Sequence, residues 1–594
     1  MLLNFIKVDF RTNILVDKYI NLISEGVKPS EILVLVQNST VKKQISDLIF
    51  NKLNFDAIEK LNIHSFFSIV YNTLIDNWCF IENSIPSDKH FILPNLVGLE
   101  VSQFLLKNIL KQVEVKGYNS KKSLLHQIFR RYSLIVQNHL TNEDVKERSK
   151  ILKESFADDA ELIIKKLLSS TLKTRSLDYL RQTLIFNHVY QHTDYFKNIK
   201  YLLVDDADEM TPVCFDFIAY LKPQLKDWLI CFDSLGSSRC GYLSADTSIE
   251  CKLVHLFGEE VCDSFEAIAS APTLTLPRGE GMTTNVQLSP ESPLSPTLSH
   301  KGRGGDVLSS QNTFTQGEII FSNILENKHE RLENFTLTSL SKRAEILDYT
   351  IEKIQNLFKK NVKPKDIAII TPLQDNMLKF TLEENLKSIC NLLFLSGSEK
   401  LIDNPLVKAS LNILKLMLDI EIAESDLRVI LSDYLGIPLK YCKEIFEGYN
   451  NNQILPEINI ENYDEKYQKF LSVFKEIKEK NTKLSVKVFD LFYKLVDFAD
   501  ETEINKFNFF IKQLRDFESV LGANVVIERA KDIIVQIENS IIAENPSSTL
   551  EIGENDLVVA TPQKIIDNKI STKYQFWLDV SHSDWVKTDT GPLY

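Results

Sequence analysis

The segment Tyr201–Pro212, YLLVDDADEMTP, ends an apolar run in two adjacent carboxylates, Asp205 and Asp206. A carboxylate at the end of a buried strand can hold Mg²⁺ through water. A second one beside it can position an attacking water, which is phosphoryl-transfer chemistry. The same residues also suit a solvated acidic turn before a helix, with Thr211 as its cap and Pro212 in its first turn. Further on, Trp228–Phe232 is another apolar run, and it ends in Asp233 before a Gly/Ser-rich stretch. Phosphate binding also needs glycines, so that backbone N–H groups can approach, and a lysine. The stretch FIKVDFRTN, after the first apolar run, has no glycine and carries Arg11-Thr12. Thr12 could reach Mg²⁺, but Val8, Asp9 and Phe10 would crowd the phosphates, and Asp9 would repel them.

The elements that position these residues read as alternating strands and helices. Leu2–Val8 and Ile32–Val36 are apolar, β-prone runs, and Ile14–Ile23 between them has helical spacing with Gly26 at its end. With Tyr201–Val204 and Trp228–Phe232 they predict one parallel sheet. From about Phe80 to Thr174 the pattern is helical, so this block reads as an insertion. Helical spacing returns over Lys342–Phe358, and the run Asp366–Thr371 reads as a strand. Leu401–Thr549 is again helical, and Leu557–Ala560 and Phe576–Val580 read as late strands. The aromatic stripe Phe489–Phe498 has helical spacing and reads as core. The run Lys475–Lys483 reads as a solvated helix end.

Ala271–Gly305 differs from the rest. It holds Gly279, Gly281, Gly302, Gly304 and Gly305, five of the chain's 18 glycines. That density opposes regular structure. Its segments LTLPRGEG and LSPTLSHKGRGG resemble translated copies of a bacterial interspersed repeat, and a regulatory linker is the alternative.

Composition sets the bounds. With 594 residues, 44% hydrophobic and 25% charged, the chain can bury several cores. No apolar run is long enough to cross a membrane and no secretion signal opens the sequence, so a cytoplasmic protein is expected. None of the eight cysteines forms a CxxC pair, so reduced thiols are expected rather than a metal centre. The net charge of −13 excludes a uniformly basic surface but not a local basic groove for DNA.

Taken in order, these segments resemble the UvrD/Rep group of superfamily 1 DNA helicases. Asp205-Asp206-Ala207-Asp208-Glu209 is similar to the family's acidic motif II, and Asp233 matches the Asp of motif III. Ile63-His64-Ser65-Phe66 is similar to the element that lies along single-stranded DNA. Asn38, in VQNSTVKKQISDLI, matches an Asn of the next DNA-contacting element. The segment Val558–Ser581 stands where motif V belongs. The resemblance implies an α/β fold of two RecA-like P-loop NTPase lobes with parallel sheets, each carrying an α-helical insertion. The implied division is 1–79 and 175–270 for the first lobe, with 80–174 as its helical insertion. Residues 271–306 form a disordered repeat-derived segment. Residues 307–400 and a truncated 551–594 form the second lobe, with 401–550 as its helical insertion.

The implied cofactors are ATP and Mg²⁺, with Asp205 and Thr12 on the metal, Asp205 and Asp206 catalytic, and Arg11, Thr12 and Asp233 at the nucleotide. The implied partner is single-stranded or partly duplex DNA, at Asn38, His64, Ser65 and Phe66, with no membrane partner. The implied activity is ATP-dependent 3′–5′ translocation and unwinding, hence a DNA-repair type of role. Several departures oppose that activity. The phosphate loop lacks glycines and lysine, and Asp206 replaces a Glu. Gly236 stands nearest the place of the motif III Gln. Asn312-Thr313-Phe314-Thr315 lacks the expected arginine, and no motif VI precedes Tyr594. Three readings therefore stay open: an impaired helicase, a non-hydrolysing module that binds DNA or protein, and a decayed gene product.

Overall fold

The computed structural model describes residues 2–585 except 5–7, 54–59, 82–92, 114–120, 152–156, 193, 234–244, 247, 259–260, 264–335, 396–398, 453–454, 461–462, 497–500, 539–540 and 543–551. The repeat-like segment 271–305 and the residues 312–315 lie outside the described residues, as does most of the stretch after Asp233.

Short apolar runs build two parallel sheets. The first contains β1 (Leu2–Asn4), β2 (Ile32–Val36), β3 (Ile63–Ser65), β4 (Tyr201–Val204), β5 (Asp227–Phe232) and β6 (Val261–Asp263). Its order is β3-β2-β4-β5-β1-β6, with every pairing parallel. The four strands expected to share a sheet do so. The second contains β7 (Ile367–Ile370), β8 (Asn391–Leu395), β9 (Asp556–Ala560) and β10 (Tyr574–Trp577), in the order β8-β9-β7-β10, also parallel. The chain is thus a mostly helical α/β protein. No helix among the described residues is long and apolar enough to cross a membrane.

Successive strand residues feed opposite layers, as the two-residue period requires. Leu33, Leu35, Leu202, Val204, Ile230 and Phe232 pack into one layer of the first sheet. Ile32, Val34, Leu203, Leu229 and Cys231 pack into the other, against Leu15, Val16 and Tyr19 of the first helix. Burial on both faces is why these strands read as unbroken apolar runs.

Two strands begin one residue earlier than the sequence reading, at Asp227 and Asp556, and three differ further. Leu2–Val8 splits into the strand Leu2–Asn4 and a helix that already begins at Val8 and runs to Ser24. Asp366 closes a one-turn 3₁₀ segment before β7. The last strand is Tyr574–Trp577 rather than Phe576–Val580.

Both helical blocks are present, each tied at its base by a pair of two-residue strands. Asn95–Leu96 pairs with Ser176–Leu177, and Glu399–Lys400 pairs with Ile541–Ile542. The blocks are not separate. Val101, Phe104, Ile128 and Leu167 of the first share one core with Leu411, Phe507, Phe517 and Ile537 of the second. Phe104 and Phe517 meet edge to face at 5.4 Å, and Arg529 lies over the Phe104 ring at 4.7 Å.

The aromatic stripe is only partly core. Leu491 and Leu495 are buried and Phe492 stacks on Phe507 at 4.0 Å, but Phe489 and Tyr493 face outward. Helical spacing places aromatics on both flanks of that helix, so not all of them reach the interior. Cys214, Cys231, Cys390 and Cys442 are buried and Cys251 is exposed.

Candidate functional site

The carboxyl end of β4 carries the acidic pair. The Asp205 N–H continues the sheet by donating to the Leu35 carbonyl at 2.9 Å. Asp206 then turns left-handed, with φ 57°, and starts a one-turn 3₁₀ segment. Asp205 is fully buried and Asp206 is 3% exposed, which rules out the solvated acidic turn. Thr211 does precede the helix Pro212–Leu221 as expected, but its side chain makes no capping bond.

The cation for this pair comes from the second sheet. Lys569 lies in the turn between β9 and β10, and its Nζ stands 2.6 Å from Asp205 Oδ2 and 2.5 Å from Asp206 Oδ2. The same turn holds Asn38. Asn38 Oδ1 accepts the Val41 N–H at 3.0 Å, capping the helix Ser39–Leu53, while its Nδ2 donates to the Asp567 carbonyl at 2.9 Å. Gln44 Nε2 donates to the Asn568 carbonyl at 3.4 Å. Asn38, Asp205 and Asp206 therefore converge on residues 567–569, at the contact between the strand-end side of the first sheet and the second. In open parallel sheets, the crevice outside the carboxyl ends of the strands is where ligands bind.

The remaining expected residues are dispersed. Asp233 closes β5, and its N–H donates to Asp208 Oδ1 at 2.9 Å, which ties the ends of β4 and β5. Ser65 Oγ accepts the Ser68 N–H at 3.3 Å at the start of the helix Phe66–Ile81. Phe66 packs against Phe186 and Phe217, in the core beneath the sheet. An aromatic that opens a helix directly after a strand points into the layer covering that strand, so Phe66 is a packing residue. His64 Nδ1 lies 3.4 Å from Ser68 Oγ. Burial, with the charges of Lys42 and Lys60 added, lowers its pKa to about 4. Burial and Lys60 likewise lower that of Lys42. These three groups lie together at the β3 edge.

Thr12 and Arg11 fall inside the first helix, which begins at Val8. Only the first turn of a helix offers unpaired N–H groups to an anion. Here that turn carries Asp9 rather than glycine and lysine. The Arg11 side chain lies outside the described residues.

A magnesium nucleotide does not fit these residues. The ammonium of Lys569 already stands against both carboxylates that a metal would need, and the helix after β1 opens without a glycine-lined cradle. No group of three or more His, Cys, Asp or Glu side chains suited to a metal occurs among the described residues.

Lys569, Gln44, Lys42 and Lys60 were missed from the sequence. Lys42 and Lys60 carried a weak signal, because they flank the Asn38 and His64 elements. No family model matches the chain, and no curated protein matches it.

Proposed function

We propose that this chain is a UvrD/Rep-like relative of the DNA helicases, built on two RecA-like lobes, that binds single-stranded DNA without running a nucleotide cycle. The observation that carries this reading is the pair of cations Lys42 and Lys60 beside the neutral imidazole of His64. It lies at the strand-end edge of the first sheet, on a chain with net charge −13. Burial and the charge of Lys60 lower the Lys42 pKa; an anion at this edge offsets those charges, and a nucleic-acid backbone supplies a row of anions. Backbone contacts of this kind need neither ATP nor the phosphate loop. The loss of the nucleotide cycle is argued from Lys569 on the acidic pair.

Fluorescence anisotropy with a labelled single-stranded oligonucleotide at low salt tests the reading. Binding at micromolar protein is expected. Lys42→Glu with Lys60→Glu should weaken it and flatten the slope of log affinity against log salt by about 1.4, the value for two single-strand phosphate contacts. Absence of binding at micromolar protein rejects the reading.

A further inference from the structure

The backbone at Lys569 is unusual for a lysine. The helix Pro562–Asp567 ends in a closure in which the Lys569 N–H donates to the Ile566 carbonyl at 3.1 Å and the Ile570 N–H to the Ile565 carbonyl at 3.0 Å. This closure puts Lys569 in the left-handed region, with φ 50°. The first helix ends with the same pair of bonds, from Gly26 to Ile23 and from Val27 to Leu22, and there the left-handed residue is Gly26. Asn361 and Asp419 fill the equivalent position after the helices Arg343–Lys359 and Pro405–Met417. Glycine has no Cβ to clash, and Asn and Asp tolerate this region through local hydrogen bonds. Lysine has neither advantage.

Its side chain supplies the reason. Lys569 is 8% exposed, and its partners Asp205 and Asp206 are 0% and 4% exposed at the side chain. Asp206 is itself left-handed. A left-handed lysine from one side and a left-handed aspartate from the other meet in the same ion-pair contact. Such positions persist only where the surroundings over-determine them, and they gather at functional contacts.

We propose that Lys569 is the resident cation of the Asp205–Asp206 pair. It is an ammonium supplied by the chain itself where the helicase resemblance would put a divalent ion, and it clasps the two sheets together without nucleotide. Two buried carboxylates require a positive partner. The lysine meets that need from within the chain, with its ammonium standing against Oδ2 of both carboxylates. The inference rests on contact geometry alone, so it stands or falls separately from DNA binding.

Titration of the full chain with Mn²⁺, followed by electron paramagnetic resonance, tests it. The native protein should show no Mn²⁺ site that depends on Asp205. Lys569→Gly, which suits the turn, and Lys569→Met, which keeps the bulk, should each gain one equivalent of bound Mn²⁺. Adding Asp205→Asn should abolish that gain. An Asp205-dependent Mn²⁺ site in the native chain overturns the proposal, as does the absence of any gain in folded variants. A second measurement needs no variant. In limited acetylation of the native chain read by peptide mass spectrometry, Lys569 should react more than about tenfold more slowly than exposed Lys573. Equal reactivity contradicts the proposal.

Discussion

Two junctions connect the halves of this molecule, one between the sheets and one between the helical blocks. The sheet junction is small and polar. It consists of Lys569 on Asp205 and Asp206, with Asn38 and Gln44 bonded to the neighbouring carbonyls. The block junction is broad and apolar, a shared core in which Phe104, Phe507 and Phe517 are at most 1% exposed. The apolar junction also tolerates a misplaced charge. Asp516 accepts the Gly98 N–H at 3.3 Å, yet burial raises its pKa to about 6, only partly offset by that bond and by Lys512. Burial also raises Glu100, and the charge of Asp516 adds to it. Broad packing thus absorbs an unfavourable carboxylate, whereas the narrow polar junction brings a buried ammonium to two buried carboxylates.

That contrast can be broken most forcefully at the block junction. Phe517→Ala should cost about 3–5 kcal/mol, the usual loss for a buried aromatic. Because the core is shared, both blocks should lose amide-exchange protection together. Loss of protection in residues 501–538 alone would show that the blocks are independent. At the sheet junction, Lys569→Met should cost a similar ~3–5 kcal/mol in urea unfolding, because it removes the buried ammonium that faces two buried carboxylates. Lys569→Gly should cost about 1 kcal/mol less than Lys569→Met, since glycine relieves the left-handed backbone. Equal losses would mean that the turn is unstrained.

Smaller effects follow from titration. Asp516 binds its proton more tightly folded, at about 6, than its ordinary 3.8. Its contribution is therefore full below pH 3.8 and is lost as pH rises through 6. Asp516→Asn should raise the thermal midpoint at neutral pH and leave it unchanged near pH 3.5. His64 has the opposite sign. Its pKa falls from 6.5 to about 4, so stability is full above pH 6.5 and declines as pH falls toward 4. His64→Gln should flatten that decline. An unchanged pH profile in either variant would place the group in a more solvated setting.

The sequence displayed the parallel sheets better than it displayed the site. Ile32–Val36 and Tyr201–Val204 were legible to the residue, because strands buried on both faces are unbroken apolar runs with polar residues on either side. The start of the first helix was not, because Val8 and Phe10 are as β-prone as the three-residue strand before them. Asp205 and Asp206 stood out as charges ending an apolar run. Lys569 did not, because its partner Asp205 lies 364 residues away and a lysine after a short helix resembles any solvated turn. Phe66 was read as a DNA contact from the family resemblance of Ile63-His64-Ser65-Phe66; the structure shows its partly buried ring packed edge-on against Phe186. Nothing in the helical spacing announced that the two blocks share one interior, since amphipathic helices do not encode which partner covers them.

We propose that the acidic pair acts as a structural contact and does not serve phosphoryl transfer. Steady-state phosphate release from ATP, with and without single-stranded DNA, tests it most directly when native chain and Asp205→Ala are compared. The account predicts no DNA-stimulated release from either protein. DNA-stimulated turnover in the ordinary enzyme range of ~1–10³ s⁻¹ that vanishes in Asp205→Ala would contradict it and make this chain a working motor.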